Sequence, residues 1–166
     1  MRVRAATPTD APAISRIYND GIADRVATFE TRPRSATDVE AWFGGKHPVV
    51  VVEEGDEVVA FASTSEYRPR ACYAGIAEFS VYAAREWRGR GAGRMAMEGL
   101  IDAARAVGIW KLVSRVIIEN TSSRALLRAV GFREVGVYEK HGRLDGVWRD
   151  VVIVERLIPE NLGECV

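Results

Sequence analysis

Residues 76–118 constrain the fold of this chain more than any other stretch. Ala77, Phe79 and Val81 alternate with Glu78, Ser80 and Tyr82, the period of two expected of a strand over residues 76–83. The turn Arg88-Gly89-Arg90-Gly91-Ala92-Gly93 comes next, after which Met97, Leu100, Ile101, Ala104 and Val107 recur at the spacing of one apolar helix face. A second strand, Leu112–Ile118, follows. Strand, helix and strand in that order close as a right-handed parallel crossover. The chain is therefore expected to be an α/β protein whose sheet contains a parallel pair.

The turn carries chemistry of its own. A helix start exposes unpaired N–H groups and the positive end of the macrodipole, and these attract anions where no side chain blocks the approach. Gly89, Gly91 and Gly93 remove the obstruction, while Arg88, Arg90 and Arg94 add guanidinium groups suited to phosphate oxygens. The glycines alternate, so the spacing is not the G-x-G-x-x-G of a dinucleotide site. No Gly-Lys-Ser/Thr ending marks a P-loop. Read alone, the turn serves equally as an anion site or as a solvated loop. Glu78 likewise reads as a base held near that site or as a carboxylate facing water.

The remaining elements follow from caps and turns. Val3–Ala5 reads as an opening strand, and Thr7-Pro8-Thr9-Asp10 as a helix start in which the acid reaches back to the cap. Ile14, Ile17 and Tyr18 give that helix its inner face. Ser35-Ala36-Thr37-Asp38 starts a second helix, expected to run through Val39, Trp42 and Phe43 to Gly44-Gly45. Val49–Val52 and Val58–Thr64 form a hairpin about Glu54-Gly55-Asp56. Asn120 caps a helix ending at Gly131. Two last strands, near Glu134–Glu139 and Val147–Leu157, are expected to meet across a His141–Gly146 loop.

At 166 residues the chain suits a single domain over residues 1–166. Its 23 basic and 23 acidic residues cancel, so no global field recruits nucleic acid or an anionic membrane. No apolar run approaches the roughly twenty residues of a membrane-spanning helix, and the start lacks a signal-peptide layout. The expectation is a cytoplasmic protein. Cys72, Cys165, His47 and His141 form no close-spaced ligand set, so no metal is expected.

Arg88-x-x-Gly91-x-Gly93 resembles the Q/R-x-x-G-x-G/A pyrophosphate loop of the GCN5-related N-acetyltransferases (GNAT). Arg70-Ala71-Cys72-Tyr73 with Glu78 and Ser80-Val81-Tyr82 is similar to the R-x-x-Y…E-x-S-V-Y pattern of the phosphinothricin acetyltransferase branch. Asn120-Thr121-Ser122-Ser123 followed by Gly131-Phe132 matches its N-x-x-S…G-F/Y segment. Thr28-Phe29-Glu30 and Gly146-Val147-Trp148-Arg149-Asp150 extend the likeness over nearly the whole chain.

The resemblance implies an acyl-CoA N-acyltransferase fold, a mixed central sheet with splayed strands flanked by helices, and acetyl-CoA as co-substrate without a metal. Arg88, Gly89, Arg90, Gly91, Ala92 and Gly93 would hold pyrophosphate. The strand edge Phe79-Ser80-Val81 would pair with the pantetheine arm, its N–H groups facing the oxyanion, and Asn120 would bond the pantetheine or the adenosine-side arm. Glu78 would accept the amine's proton, its apolar flanks desolvating it. Arg70 would grip an amino-acid carboxylate, with Arg68 beside it, and Phe29 and Tyr73 would line the pocket.

Leu127 stands where the family often places an acid, leaving water, Tyr138 or His141 to protonate the departing thiolate. The implied activity is acetylation of the α-amino group of phosphinothricin, methionine sulfoximine or arsinothricin, by a homodimer. The alternatives are a protein or peptide N-acetyltransferase and a non-catalytic acyl-CoA-binding module.

Overall fold

The chain runs β1 (Arg2–Ala5), α1 (Ala11–Ala23), α2 (Ala36–Glu40), β2 (Val49–Glu54), β3 (Glu57–Glu66), β4 (Ile76–Ala83), α3 (Ala92–Ala106), β5 (Lys111–Ile117), α4 (Thr121–Ala129), β6 (Arg133–Leu144) and β7 (Val147–Leu157). The structure, a computed structural model, describes residues 1–163, and Cys165 lies outside the described residues. The strands form one mixed sheet in the order β1-β2-β3-β4-β5-β7-β6. Only the β4–β5 pair is parallel.

The valine run of β2 shows why helices cover both faces. Val50 and Val52 pack into one core with Met97 and Leu100 of α3, whereas Val49 and Val51 pack into another with Ile14 and Ile17 of α1 and Val39 of α2. A strand with apolar side chains on both faces must be buried on both.

At the centre of the sheet β4 and β5 start together and then part. The Gly75 carbonyl accepts from the N–H groups of Trp110 at 2.8 Å and Lys111 at 3.3 Å. Pairing covers Ile76 with Lys111, Ala77 with Leu112 and Glu78 with Val113, and stops there. Beyond Glu78, β4 stays bonded to β3 while β5 stays bonded to β7. The sheet thus splays, and the β5-facing backbone edge of Phe79–Val81 is left free.

Caps fall where the side chains place them. Ser35 Oγ accepts from the Asp38 N–H at 3.1 Å and the Asp38 carboxylate accepts from the Ser35 N–H at 2.8 Å, a reciprocal capping box. Three expectations need correction. The second helix stops at Glu40, and Trp42 and Phe43 follow in tighter turns, their N–H groups bonded three residues back to Val39 and Glu40. Val107 is 54% exposed, because α3 ends at Ala106 and left-handed Gly108 turns the chain so that Ile109 is buried instead. The final hairpin has no His141–Gly146 loop. β6 continues to Leu144, and Asp145-Gly146, with φ of 49° and 78°, makes a two-residue turn.

A charge network ties β1 to the start of α1. Arg4 donates to both Asp10 carboxylate oxygens at 2.8 and 2.9 Å and to Glu53 at 2.8 Å. Asp10 is buried, and chiefly its hydrogen bonds from Arg4 hold its carboxyl below the ordinary range. Because the folded value is depressed, this stabilisation is present above the unfolded value near ~3.9 and is lost as the pH falls through the folded value. Asp10→Asn is expected to cost about 2 kcal/mol at neutral pH, a modest figure because Arg4 stays partly exposed. Urea midpoints would also show a smaller loss of stability on acidification than in the wild type. Equal midpoints at neutral pH would remove the network from the fold's stability.

Candidate active site

The parting of β4 and β5 creates the cleft. Glu78, Ser80 and Tyr82 share one face of β4, set opposite Ser65, Ser63 and Phe61 of β3. Glu78 marks the last paired position, and its side chain is 34% exposed. Its carboxylate accepts from an Arg115 N–H at 2.7 Å. Besides its apolar flanks, the fold gives Glu78 a guanidinium from β5 as partner. Sequence reasoning missed Arg115, although a lone charge inside the apolar run Leu112–Ile118 was the available signal.

Glu78 lines a cavity of about 380 Å³ between the splayed strands, together with Thr28, Phe29, Arg115, Asn120, Leu127 and His141. A second cavity of about 380 Å³ lies at the start of α3, lined by Arg88, Gly89, Gly91, Gly93 and Arg94. Ala27, Val81, Tyr82, Asn120 and Ser123 border both, so the two form one groove along the free edge of β4. Phe79 turns its ring into the core against Phe132, with centroids 4.8 Å apart, leaving its backbone to the groove.

The glycine turn is built for backbone approach. Gly91 caps α3 with φ of 88°, and Gly89 has φ of 72°; a β-carbon at either would enter open space rather than protein. The side chain of Ala92 is buried, and the residue is not among those lining the groove. The arginines divide. Arg88 and Arg94 line the groove, while Arg90 lies over the Trp87 ring at 5.4 Å and is not among the lining residues. Arg88 pairs with Asp24 at 2.7 Å, and hydrogen bonds from Arg85 first, then Arg88, hold Asp24 below its ordinary pKa.

Asn120 acts as the α4 cap. Its side-chain oxygen accepts from the Ser123 N–H at 3.2 Å, and the residue borders both halves of the groove. Phe29 sits against Gly142 so closely that a β-carbon there would fall 2.8 Å from its ring. Of the other expected substrate residues, Arg68 comes within electrostatic reach of Glu78. Arg68 and Arg70 are exposed on the β3–β4 connection, and Tyr73 meets Tyr67 edge-on at 5.8 Å. None of these three lines the Glu78 cavity.

Leu127, 1% exposed, brings no acid to the groove. His141 does reach it. The residue lies in β6 at an irregularity between Tyr138 and Gly142, where Lys140 has φ of 47° and its N–H donates to the Asp150 carboxylate at 2.7 Å. Its ring is 4.9 Å from that of Tyr138. Among the described residues no three His, Cys, Asp or Glu side chains gather as metal ligands, and no helix is long and apolar enough to cross a membrane.

A free strand edge leading from a carboxylate to a glycine-rich helix start offers hydrogen-bonding backbone for an extended ligand, an anion site at one end and a proton acceptor at the other. The chain matches the family described as "Acetyltransferase (GNAT) family" over residues 14–132, and it belongs to that family. It is an acetyl-CoA-dependent N-acetyltransferase.

An L-methionine sulfoximine/L-methionine sulfone acetyltransferase of Pseudomonas paraeruginosa is 31% identical over 158 residues, 92% of each chain. Among solved structures, a phosphinothricin acetyltransferase from Sinorhizobium meliloti in complex with acetyl-CoA superposes with a TM-score of 0.87. It is 30% identical, with 94% of this chain and 87% of that one covered. A ribosomal-protein-alanine N-acetyltransferase from Brucella melitensis gives a TM-score of 0.90 at 31% identity, covering 95% and 100%.

Proposed function

We propose that the chain acetylates the α-amino group of a free amino acid or amino-acid analogue of the phosphinothricin, methionine sulfoximine or arsinothricin type, detoxifying it in the cytoplasm. The observation that carries this reading is the position of Glu78, at the point where the sheet opens and in the same groove as the glycine-rich helix start. Relatives acting on such small molecules support the acceptor class.

The amine lone pair attacks the thioester carbonyl and a C–N bond forms. Glu78 takes the amine's proton, directly or through one water. Backbone N–H groups at the free edge of Phe79–Val81 face the oxyanion. The C–S bond then breaks, and the thiolate takes a proton from water or from His141, which borders the same cavity. Arg88, Arg94 and the N–H groups of the Gly89–Gly93 turn hold the pyrophosphate, and Asn120 meets the pantetheine arm. Of Arg68, Arg70 and Tyr73, Arg68, which feels the charge of Glu78, is best placed to meet an acceptor there.

The exposed side chains of Val137, Tyr138, Val147 and Trp148 on the β6–β7 hairpin support a homodimer. A sedimentation mass matching the 18.3 kDa monomer at working concentration would exclude it.

The test is thiol release from acetyl-CoA with a panel of free amino-acid analogues and, in parallel, peptides with free N-terminal amines. Faster turnover of the free amino acids is expected. A clear preference for peptides would favour the rival protein-acetylating reading, which the alanine-acetylating structural neighbour makes worth including. Acetyl-CoA binding with no thiol release from any amine at any pH would overturn the enzyme reading for both.

A further inference from the structure

On the α1–α2 side of the sheet, a cavity of about 440 Å³ opens from the Glu78 cleft. Tyr18, Ser65, Ser80 and Tyr82 border both spaces. The β3–β4 ladder explains the continuity. Along one face the rows are Ser65 opposite Glu78, Ser63 opposite Ser80, and Phe61 opposite Tyr82. Ser65, in the carboxylate's own row, borders the cavity, and successive rows lie about 7 Å apart, so the cavity runs on from that row along the ladder. An amine placed at Glu78 has its α-carbon substituent beside that opening.

The walls define what fits. Phe61 and Tyr82 stack at 5.5 Å, and Tyr18 meets Trp42 edge-on at 6.0 Å. Hydroxyls come from Ser63 and Ser80, and the one carboxylate at the rim is Glu66. No arginine or lysine lines the space. Its only imidazole, His47, is pushed below the ordinary histidine pKa by burial and then by Lys46. An anionic tail there would meet aromatic walls and the Glu66 carboxylate with no cation among the lining residues, and such a poorly paired charge is disfavoured. A neutral chain gains apolar contact, sulfur–aromatic contact where it carries sulfur, and hydrogen bonds from the serines.

We propose that the cavity bounded by Trp42, Phe61, Ser63 and Ser80 receives the acceptor's side chain and selects neutral chains over anionic ones. This rests on the acetyl-transfer reading with Glu78 as base. It ranks the suggested acceptors: methionine-derived amino acids stand above phosphinothricin, whose phosphinate is ionised at neutral pH.

The experiment measures kcat/KM by thiol release for L-methionine sulfone and for phosphinothricin, with the wild type, Ser63→Lys and Trp42→Ala. The wild type is expected to prefer the sulfone at least tenfold. Ser63→Lys, which places an ammonium in the cavity, should shift that preference at least tenfold toward phosphinothricin. Trp42→Ala should raise KM for the sulfone about tenfold with kcat within about threefold.

A wild-type preference for phosphinothricin overturns the proposal even if neither variant folds. So does an active Ser63→Lys enzyme with an unchanged preference, and either result leaves the acetyl-transfer reading standing. Absence of thiol release from every amine removes that reading, and this inference with it.

Discussion

Glu78→Gln is expected to lower kcat by about 10²–10⁴-fold, the range for loss of a positioned general base, while acetyl-CoA binding stays within about twofold. Glutamine keeps the shape of the side chain and an oxygen that can still accept from Arg115, so the 2.7 Å contact across the splay can survive. What disappears is the site that takes the proton. The glycine-rich turn proposed to hold the cofactor lies in the other half of the groove and is untouched. Because an amine already neutral in solution needs no base, the deficit should narrow as the pH rises toward the amine's own pKa. Steady-state kinetics across pH, with calorimetric titration of CoA, test this directly. A kcat within about threefold of the wild type would mean that Glu78 does not carry the proton.

The second large effect is expected in stability. A β-carbon on Gly75 would fall 1.9 Å and 2.1 Å from two ring atoms of Trp110, and a rigid indole cannot yield as the end of a flexible chain can. Gly75→Ala is therefore expected to cost about 3 kcal/mol, at the upper end for overpacking a buried site. In a chain of this size that lowers Tm by roughly 6–12 °C. The damage should reach the chemistry, because the Gly75 carbonyl accepts from Trp110 and Lys111 at the start of the β4–β5 pairing that ends at Glu78. Gly75→Ala with Trp110→Ala should recover part of the loss, since the second change removes the collision. A single variant melting within about 2 °C of the wild type would show that the indole has room to move.

The residues legible in the sequence were those whose roles are fixed by near neighbours. Strand periodicity located Ile76–Ala83, and the capping residues Ser35 and Asn120 stand at the helix starts they predicted. The glycine turn and Glu78 could be paired in advance because one strand and one turn join them. Arg115 could not be, since its contact with Glu78 spans 37 positions and depends on the register in which β5 meets β4.

The position of His141 is hidden from the sequence for a related reason. Its direction is set by the left-handed backbone at Lys140, held by a carboxylate on the neighbouring strand. The Asp145-Gly146 pair was a readable hairpin signal, and giving it weight would have extended β6 past His141. The aromatic cavity beside Trp42 is not legible in the sequence because it needs side chains from α1, the turns after α2, β3 and β4 at once.

The irregularity in β6 has an effect beyond the cleft. An open sheet has two outer margins where another chain could add itself indefinitely. Here one margin is β1, only four residues long. The other is β6, long enough to template a foreign strand, but its ladder breaks between Tyr138 and Gly142. An uninterrupted run of added hydrogen bonds cannot cross that break. The bend that turns a histidine toward the groove therefore also limits how far this molecule can polymerise through its own edge.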